Sequence, residues 1–504
     1  ANTDCMRKQI TIDIVIWIIS IVICLIWRLA ADKAEIWSYL GLFAVMIGAW
    51  IVVGMIFQLY RSYKKTWYWQ SVLSLMLTAS AMLLLCKYVV PELDRQFSAT
   101  VAMWMIGIVT AIDFFVILAE HYWKYAQNMT VPAMQIEQRE HAEVIRPDER
   151  RSKATVETIH QSVLSLTTEE DYQMLLQKAR LDNRQTKVVA NRDRFSFLQI
   201  PDYEYGTLVD LTLLNDAKGI NRRFCIVNQK LPDNGRYVCC YRPQEYIKQK
   251  ILARYPKGIR WIVYSAYFFW KRIIPRLLLM SRLYYDLTKG RKRMLSKTEV
   301  FGRLYYCGFE VDETVPMGHI EYVFAHRHSQ PYPQEQFKVY GPLIKLRRIG
   351  KNKEYVYIYK FRTMHPYAEY IQKYVFDKRG GMDIADKSND DWRITTWGRC
   401  MRKYWLDELP MLINWLKGDV KLVGVRPISQ TMFDTYPADL QEKRTRCKPG
   451  LIPPFYIDHP ETFDELFASE NKYLDAYFKH PFLTDVRYFF LTMHSILFKR
   501  MHSA

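Results

Sequence analysis

Four long apolar segments occupy the first quarter of the chain, and no other feature restricts its fold as strongly. They run approximately from Ile10 to Trp27, Ile36 to Phe57, Trp69 to Val90 and Ala99 to Trp123. Each comes close to the roughly 20 apolar residues that cross about 30 Å of hydrocarbon. No small-residue cleavage site follows the first, which sets it apart from a signal peptide. Arg7 and Lys8 precede it, Arg61, Lys64 and Lys65 separate the second and third, and the next loop mixes Lys87 and Arg95 with Glu92 and Asp94. The excess of basic residues places the N-terminus in the cytoplasm, and four crossings return the chain there. Asp13 and Asp113 fall within or near these segments. An acid in a span can mark an ion path; the expectation here is that Asp13 lies close to the interface and that Asp113 is paired within the bundle.

The rest of the 504 residues is polar enough to bring mean hydropathy slightly below zero, and the formal net charge is +19. Many of the basic residues lie far from the apolar segments, so topology alone does not explain them. They point to anionic partners: phosphate groups or the acidic membrane leaflet. No nucleic-acid-binding fold or aromatic-basic platform accompanies the charge, which argues against nucleic acid. The nine cysteines form no CxxC pair and no metal-ligand spacing, as expected of reduced thiols facing the cytoplasm.

Residues 124–194 are charged and read as a polar linker leading into a solvated helix. Short strands and helices follow. "RRFCIVNQKLPDNGRYVCCYR" reads as a helix, a Pro-Asp-Asn-Gly turn and a buried strand with Cys239 and Cys240 on opposite faces. "SKTEVFGRLYYCGFEVDE" reads as a helix capped by Ser296 with Glu299 at capping-box spacing, then Gly308 and a strand. This order resembles the second half of a class I methyltransferase-like Rossmann domain. No glycine-rich fingerprint follows a first strand, so a degenerate domain without an adenosyl cofactor, structural or regulatory in role, is expected. Between the two pieces, Arg260 to Leu287 is apolar and aromatic, with Lys271, Arg272, Arg276 and Arg282 interspersed around Pro275. Four basic side chains in one run disfavour a buried helix, so an interfacial or re-entrant membrane segment is expected.

"YWLDELPMLINWLKG" carries the chemistry. Proline suits a first helical position, so a helix should start near Pro410 and stop at Gly418, with Asp407 and Glu408 at its N-terminus. Acids cap helix starts for purely structural reasons. Adjacent residues on a turn diverge, however, so this pair is poorly arranged to share a proton. The two acids could divide labour around a phosphate, one attacking phosphorus and one holding Mg²⁺. That chemistry requires cations to screen the approach of anion to anion. Lys360, Arg362, Arg399, Arg402, Lys417 and Arg426 are nearby in sequence.

The runs "GPLIKLRRIGKNKEYVYIYKFRTM", "DDWRITTWGRCMRKYWLDELPMLINWLKGDVKLVGVRP" and "KPGLIPPF" resemble the bacterial sugar transferases, the monotopic phosphoglycosyl transferases, over roughly Gly341 to Phe455. The resemblance implies that Asp407 is the nucleophile that takes the phospho-sugar and that Glu408 binds Mg²⁺. It implies that Lys360 and Arg402 assist at the phosphates, and that Arg426 and Pro427 belong to the nucleotide-sugar site, with Arg348, Arg362 and Lys417 as further substrate-binding candidates. The implied reaction moves a sugar-1-phosphate from a UDP-sugar to polyprenyl (undecaprenyl) phosphate, releases UMP and starts a surface glycan at the bacterial inner membrane. The departures are Leu346 in place of the usual glutamine, Leu451-Ile452-Pro453 after Pro449-Gly450, and a polar run ahead of Gly341 where a re-entrant helix is usual. They leave a second reading, a catalytically inactive membrane scaffold for glycan assembly.

The fold class expected is therefore a membrane α-helical bundle of four spans plus cytoplasmic α/β. Its parts are the bundle at 1–123, the linker at 124–194, a Rossmann-like domain at 195–335 with the interfacial segment near 260–287, and a mixed α/β phosphoglycosyl transferase domain at 336–504. The partners expected are a UDP-sugar, polyprenyl phosphate and inner-membrane lipid, and the apolar bundle can mediate a homodimer. The last helix, near "DVRYFFLTMHSILFKR", is amphipathic and suited to lying on a membrane.

Overall fold

The structure, a computed structural model, describes residues 2–29, 36–60, 68–88, 99–124, 126–128, 143–191, 195–217, 219–276, 281–332, 340–379, 391–458, 460 and 462–498. These fall into two units, Ala1–Ala126 and Gln127–Ala504. The molecule is helical in the first and combines helices with mixed sheets in the second.

The first unit is built from helices Asn2–Leu29, Ile36–Ile56, Tyr68–Tyr88 and Ala99–Lys124. Trp17 and Trp50 meet edge to face at 5.9 Å in its core, beside Met46, Leu75, Met82 and Ile106. Val45, Ile56, Leu84, Trp104 and Phe115 are exposed on the outside. A helix apolar on all sides fits a hydrocarbon surround. Two stretches are long and apolar enough to cross a membrane, Gln70–Tyr88 and Met103–Glu120; two more, Gln9–Val22 and Phe43–Ile56, are apolar but shorter. Among the described residues the four expected spans are thus two full-length candidates and two shorter ones. Arg61, Lys64, Lys65, Glu92, Asp94 and Arg95 lie outside the described residues. Both acids are buried. Asp13 is buried and accepts from Tyr60 Oη and Trp50 Nε1, at 2.6 and 3.1 Å. Asp113 Oδ2 is buried with no hydrogen-bond partner among the described residues.

In the second unit, a five-stranded sheet is formed by β2 (Thr186–Val189), β3 (Thr207–Leu213), β4 (Arg236–Tyr241), β5 (Phe309–Met317) and β6 (Ile320–Arg327), in the order β2-β3-β4-β6-β5. The first three run parallel, and the final hairpin enters in reverse so that β6 lies antiparallel between β4 and β5. Alternation along β4 sends Tyr237, Cys239 and Tyr241 to one face and Val238 and Cys240 to the other. The first face packs on Phe224 and Val227 of helix Ile220–Lys230 and on Phe301 and Leu304 of helix Lys297–Tyr306. The second face packs on Val163, Tyr172 and Leu175. Those three residues lie in helices Lys153–Leu164 and Glu169–Ala179, inside the stretch expected to be a linker. With β2, this stretch instead supplies one layer and one edge of the sheet. Ser296 caps its helix as expected, accepting from Glu299 N.

The segment expected at the membrane surface is broken at Pro275: helix Arg260–Phe268 widens into a π-helical turn at Phe269–Ile273, tightens to a 3₁₀ turn at Ile274–Arg276, and helix Ser281–Thr288 resumes beyond. Ile262, Phe269 and Trp270 are exposed, in keeping with an interfacial face. Arg272 does not fit that picture. It is 3% exposed and bound to Glu299, because a buried guanidinium is tolerable where a carboxylate and further acceptors meet it.

The C-terminal part carries β7 (Leu343–Ile349) and β8 (Tyr355–Phe361), an antiparallel hairpin joined on its far side by β1 (Gln127–Asn128), parallel to β7. A parallel pair, β9 (Lys421–Val423) and β10 (Gly450–Ile452), packs beneath it. Gly450 lies so close to Gly424 that a Cβ there would fall 2.1 Å from the Gly424 nitrogen. Helices Phe463–Lys479 and Pro481–Phe498 close this core through Tyr473, Leu474 and Tyr488. Phe482, Leu483 and Phe490 of the last helix remain exposed.

Candidate active site

The β7–β8 register pairs Ile344 with Lys360, Leu346 with Ile358 and Arg348 with Val356. Side chains alternate along strands, so Leu346, Arg348, Ile358 and Lys360 emerge on one face. Opposite stands the turn Leu406–Glu408, entered through Trp405 at φ +53° and followed by Pro410 and helix Met411–Leu416. Gly418, at φ +75°, ends that helical stretch as expected. Asn414 fixes the short helix to the hairpin: its Nδ2 donates to Tyr357 O, and its Oδ1 accepts from Tyr359 N, at 2.8 and 2.9 Å.

This arrangement brings Lys360 Nζ to 2.6 Å from Glu408 Oε1. Asp407 is 5% exposed, and its Oδ1 is buried with no hydrogen-bond partner among the described residues. Burial pushes the Asp407 carboxyl above its ordinary range, partly offset by Lys360. Burial also acts to raise Glu408, but Lys360, Arg426 and Arg402 outweigh it and hold that carboxyl low. Arg402 comes from helix Thr396–Lys403, which Thr395 caps by accepting from Gly398 N. Arg402 Nε donates to Thr363 Oγ1 at 3.0 Å, and a Cβ on Gly398 would meet Thr363 O at 2.2 Å. The helix is thereby seated directly on the K-F-R-T-M segment.

Lys360 and Glu408 open into a cavity of about 50 Å³ that Arg348, Arg426, Pro427 and Tyr456 also line. Arg348 is pushed down to about 10 by burial and by the neighbouring Arg426 charge. Two guanidiniums facing one small space favour an anion with several oxygens, such as phosphate. The buried, unpartnered oxygen of Asp407 beside the Glu408 carboxylate is a donor set that can hold a divalent cation, with Glu408 exchanging its bond to Lys360. Outside the dyad, Leu406, Leu409, Leu412, Trp415 and Leu416 are exposed and form an apolar collar.

Of the residues singled out in the sequence, the structure gathers Asp407, Glu408, Lys360, Arg348, Arg426 and Pro427 here, with Arg402 adjoining. Two stand elsewhere. Arg362 is buried, with Nε donating to Gly341 O at 2.9 Å and its guanidinium over the Tyr340 ring. Strand β8 ends at Phe361, so the alternation that would carry Arg362 to the face of Lys360 stops one residue short. Lys417 is exposed and lies over the Tyr359 ring, which is on the opposite face of β8 from Lys360. Sequence reasoning missed Tyr456, Met411 and Asn414. Only Asn414 gave a signal, as an amide inside an apolar helix that must find partners.

Residues 336–499 match the family model described as bacterial sugar transferase. That match covers about a third of the chain, at its C-terminal end. The chain is 33% identical over 161 residues to a protein of Streptococcus agalactiae named galactosyl transferase CpsE, covering 31% of this chain and 35% of that one. It is 38% identical over 96 residues to a Caulobacter vibrioides UDP-glucose:undecaprenyl-phosphate glucose-1-phosphate transferase, covering 19% and 32%. It is 37% identical over 109 residues to a Salmonella typhimurium undecaprenyl-phosphate galactose phosphotransferase, covering 21% and 23%. The match therefore spans about a third or less of each of these relatives. Leu346, Leu451 and Pro453, three of the departures noted in the sequence, line the cavity beside Lys360 and Glu408.

Proposed function

We propose that this protein is a membrane phosphoglycosyl transferase that moves a sugar-1-phosphate from a UDP-sugar to a polyprenyl phosphate through a phospho-Asp407 intermediate. The observation that carries the reading is the unpartnered, buried Asp407 oxygen beside the Lys360–Glu408 pair, at the edge of an arginine-lined cavity. In the first step an Asp407 carboxylate oxygen forms a bond to the sugar-bearing phosphorus, the bond from that phosphorus to the bridging oxygen breaks, and UMP leaves with the electron pair. In the second, a phosphate oxygen of the polyprenyl acceptor attacks the same phosphorus and Asp407 is restored. Arg348 and Arg426 hold the donor phosphates, and Lys360 and Arg402 screen the approaching anions. Glu408 would hold Mg²⁺, which would supply charge neutralisation at the phosphates while Asp407 stays uncommitted as the nucleophile.

The apolar collar around the dyad gives the lipid acceptor an approach from the bilayer, and the four apolar helices anchor the chain, with the catalytic part facing the cytoplasm. The five-stranded layer is a degenerate Rossmann-like domain with a structural or regulatory role. The relatives' named substrates support a nucleotide-sugar donor and an undecaprenyl phosphate acceptor. The scaffold reading draws on the three altered cavity residues; the intact Lys360, Arg402, Asp407 and Glu408 set favours the enzyme.

The test supplies the full chain with Mg²⁺, polyprenyl phosphate and a panel of UDP-sugars and measures UMP release for each. One donor should be turned over, and Asp407→Asn should abolish its turnover. Normal UMP release by Asp407→Asn would overturn the covalent route. Silence with every donor would favour the scaffold.

A further inference from the structure

A second cavity, of about 250 Å³, shares no lining residue with the dyad site. It lies between the five-stranded layer and the sugar transferase domain, walled on one side by Pro366 and Tyr367. Lys271, Arg272, Arg276, Arg293 and Arg303 line it, with Glu299 as its one carboxylate. Glu299 Oε2 accepts from Arg272 and Arg276, and Oε1 accepts from Arg303 Nη2 at 2.9 Å. One negative charge thus faces five positive ones. The nearby His365 adds none: burial, Arg272 and Arg276 push it down to about 2, and its neutral Nδ1 lies 2.9 Å from Arg272 Nη2.

A structural ion-pair network would match these charges with acids. Here the excess faces open volume, and one donor shows the shortfall directly. Arg293 is 7% exposed; its Nη groups reach Ala217 O and Tyr285 Oη, but its Nε is buried with no hydrogen-bond partner among the described residues. A buried donor left unsatisfied is destabilising, and a bound acceptor would relieve it. Planar guanidiniums match phosphate oxygens two at a time; even with Asp216 acting on Lys271 and Glu245 on Arg272, two positive charges remain in excess, more than a single carboxylate ligand balances.

We propose that this cavity is a binding site for a phosphate-bearing anion, separate from the donor site. The phosphate belongs either to a soluble di- or polyphosphate or to a lipid headgroup. The anion would touch both sides of the seam, because Arg272 contacts His365 and Arg303 Nη1 lies 3.4 Å from Tyr367 Oη. His365 and Tyr367 lie five and seven residues beyond Lys360, so occupancy of the cavity can reach the catalytic strand through a short stretch of chain.

The site does not depend on the reaction proposed above, so its test reads binding alone. Full-length protein carrying Arg348→Gln, to weaken phosphate binding at the dyad site, is placed in phosphatidylcholine nanodiscs without Mg²⁺ and titrated calorimetrically with pyrophosphate. A saturable event should remain, and adding Lys271→Gln or Arg293→Gln should weaken it about tenfold, the loss of one charge-assisted bond. Lys271 Nζ makes a 3.5 Å contact with Arg291 O and lies over the Tyr284 ring, with no carboxylate bonded to it among the described residues, so its variant stays informative if loss of Arg293 unfolds the protein. Nanodiscs containing phosphatidic acid separate the sources: competition marks a lipid phosphate, and unchanged pyrophosphate affinity marks a soluble one. Absence of binding in the Arg348→Gln protein, or wild-type affinity in Lys271→Gln, overturns the site.

Discussion

Lys360→Met removes the ammonium that Glu408 accepts from while keeping a long side chain in place. At 2.6 Å and an effective dielectric of about 20, the attraction between the two charges is roughly 6 kcal/mol before desolvation. The side chains are 18% and 15% exposed, so part of that is offset by lost hydration. Breaking such a pair should destabilise the fold by about 3 kcal/mol, because the carboxylate stays behind. Asp407 changes in the same direction: burial raises its pKa and Lys360 opposes the rise, so without Lys360 it climbs further. The acid limb of the pH profile for UMP release should therefore move to higher pH. At pH 7 the rate constant kcat/KM should fall by on the order of 100-fold, equivalent to about 3 kcal/mol. A double-mutant cycle separates fold from function. Lys360→Met with Glu408→Gln should regain most of the stability, since the Glu408 charge that Lys360 met is removed with it, yet stay inactive. Denaturation midpoints and UMP release are measured on all four proteins. An unchanged midpoint in Lys360→Met, or recovered UMP release in the double variant, would refute this account of the pair.

Asp407→Asn should lower UMP release by at least about 10³-fold, as loss of a nucleophile does. It should also stabilise the protein: an acid whose folded pKa is raised loses stability as pH rises past its unfolded value of 3.8, so the gain in melting temperature should be larger at neutral pH than below that value. A gain independent of pH would count against the buried charge. Gly450→Ala places a Cβ 2.1 Å from the Gly424 nitrogen and should destabilise by about 1–3 kcal/mol or more, read from the denaturation midpoint. Arg348→Gln should raise KM for the nucleotide sugar about tenfold with the melting temperature held or increased, since one of two repelling guanidiniums is removed. A raised KM from Lys417→Gln of the same size would contradict the placement of Lys417 outside the cavity.

The dyad, Lys360, Arg402 and the Arg426–Pro427 loop were legible because each sits in a short contiguous motif whose residue types already name a chemistry. Arg362 was not placed correctly because its position depends on where β8 stops, and strand ends are set by tertiary packing rather than by local pattern. Tyr456 was invisible for a related reason: it reaches the cavity from beyond β10 and touches Trp405, a meeting that needs the fold. The stretch at 124–194 read as a linker because charges dominate it. Only a few apolar residues, Val163, Tyr172 and Leu175 among them, are needed to seat two helices on the sheet. Arg272 misled in the opposite way. Four basic residues in an apolar run argue for a wet surface only while no acid is known to face them, and Glu299 lies 27 residues further along the chain.

Two adjacent carboxylates in a strongly basic chain can do different work because the fold treats them differently. Both are largely removed from water, which alone would push both toward the neutral form. Glu408 meets Lys360 directly and stays a low-pKa anion, suited to remaining charged beside phosphates and a cation. Asp407 has the neighbouring charges but a buried oxygen without a donor, so its electron pairs are not committed to a hydrogen bond and its basicity is raised. A nucleophile needs that second environment, and a metal-binding or electrostatic partner needs the first. The separation shows in the contacts: Glu408 meets Lys360 of β8 directly, Asp407 Oδ1 has no such bond among the described residues, and Asn414 ties the helix that follows them to the same strand. Loosening that anchor by Asn414→Leu should therefore bring the two carboxylates toward a common environment, and the phosphoryl chemistry would fade even though every charged residue remained.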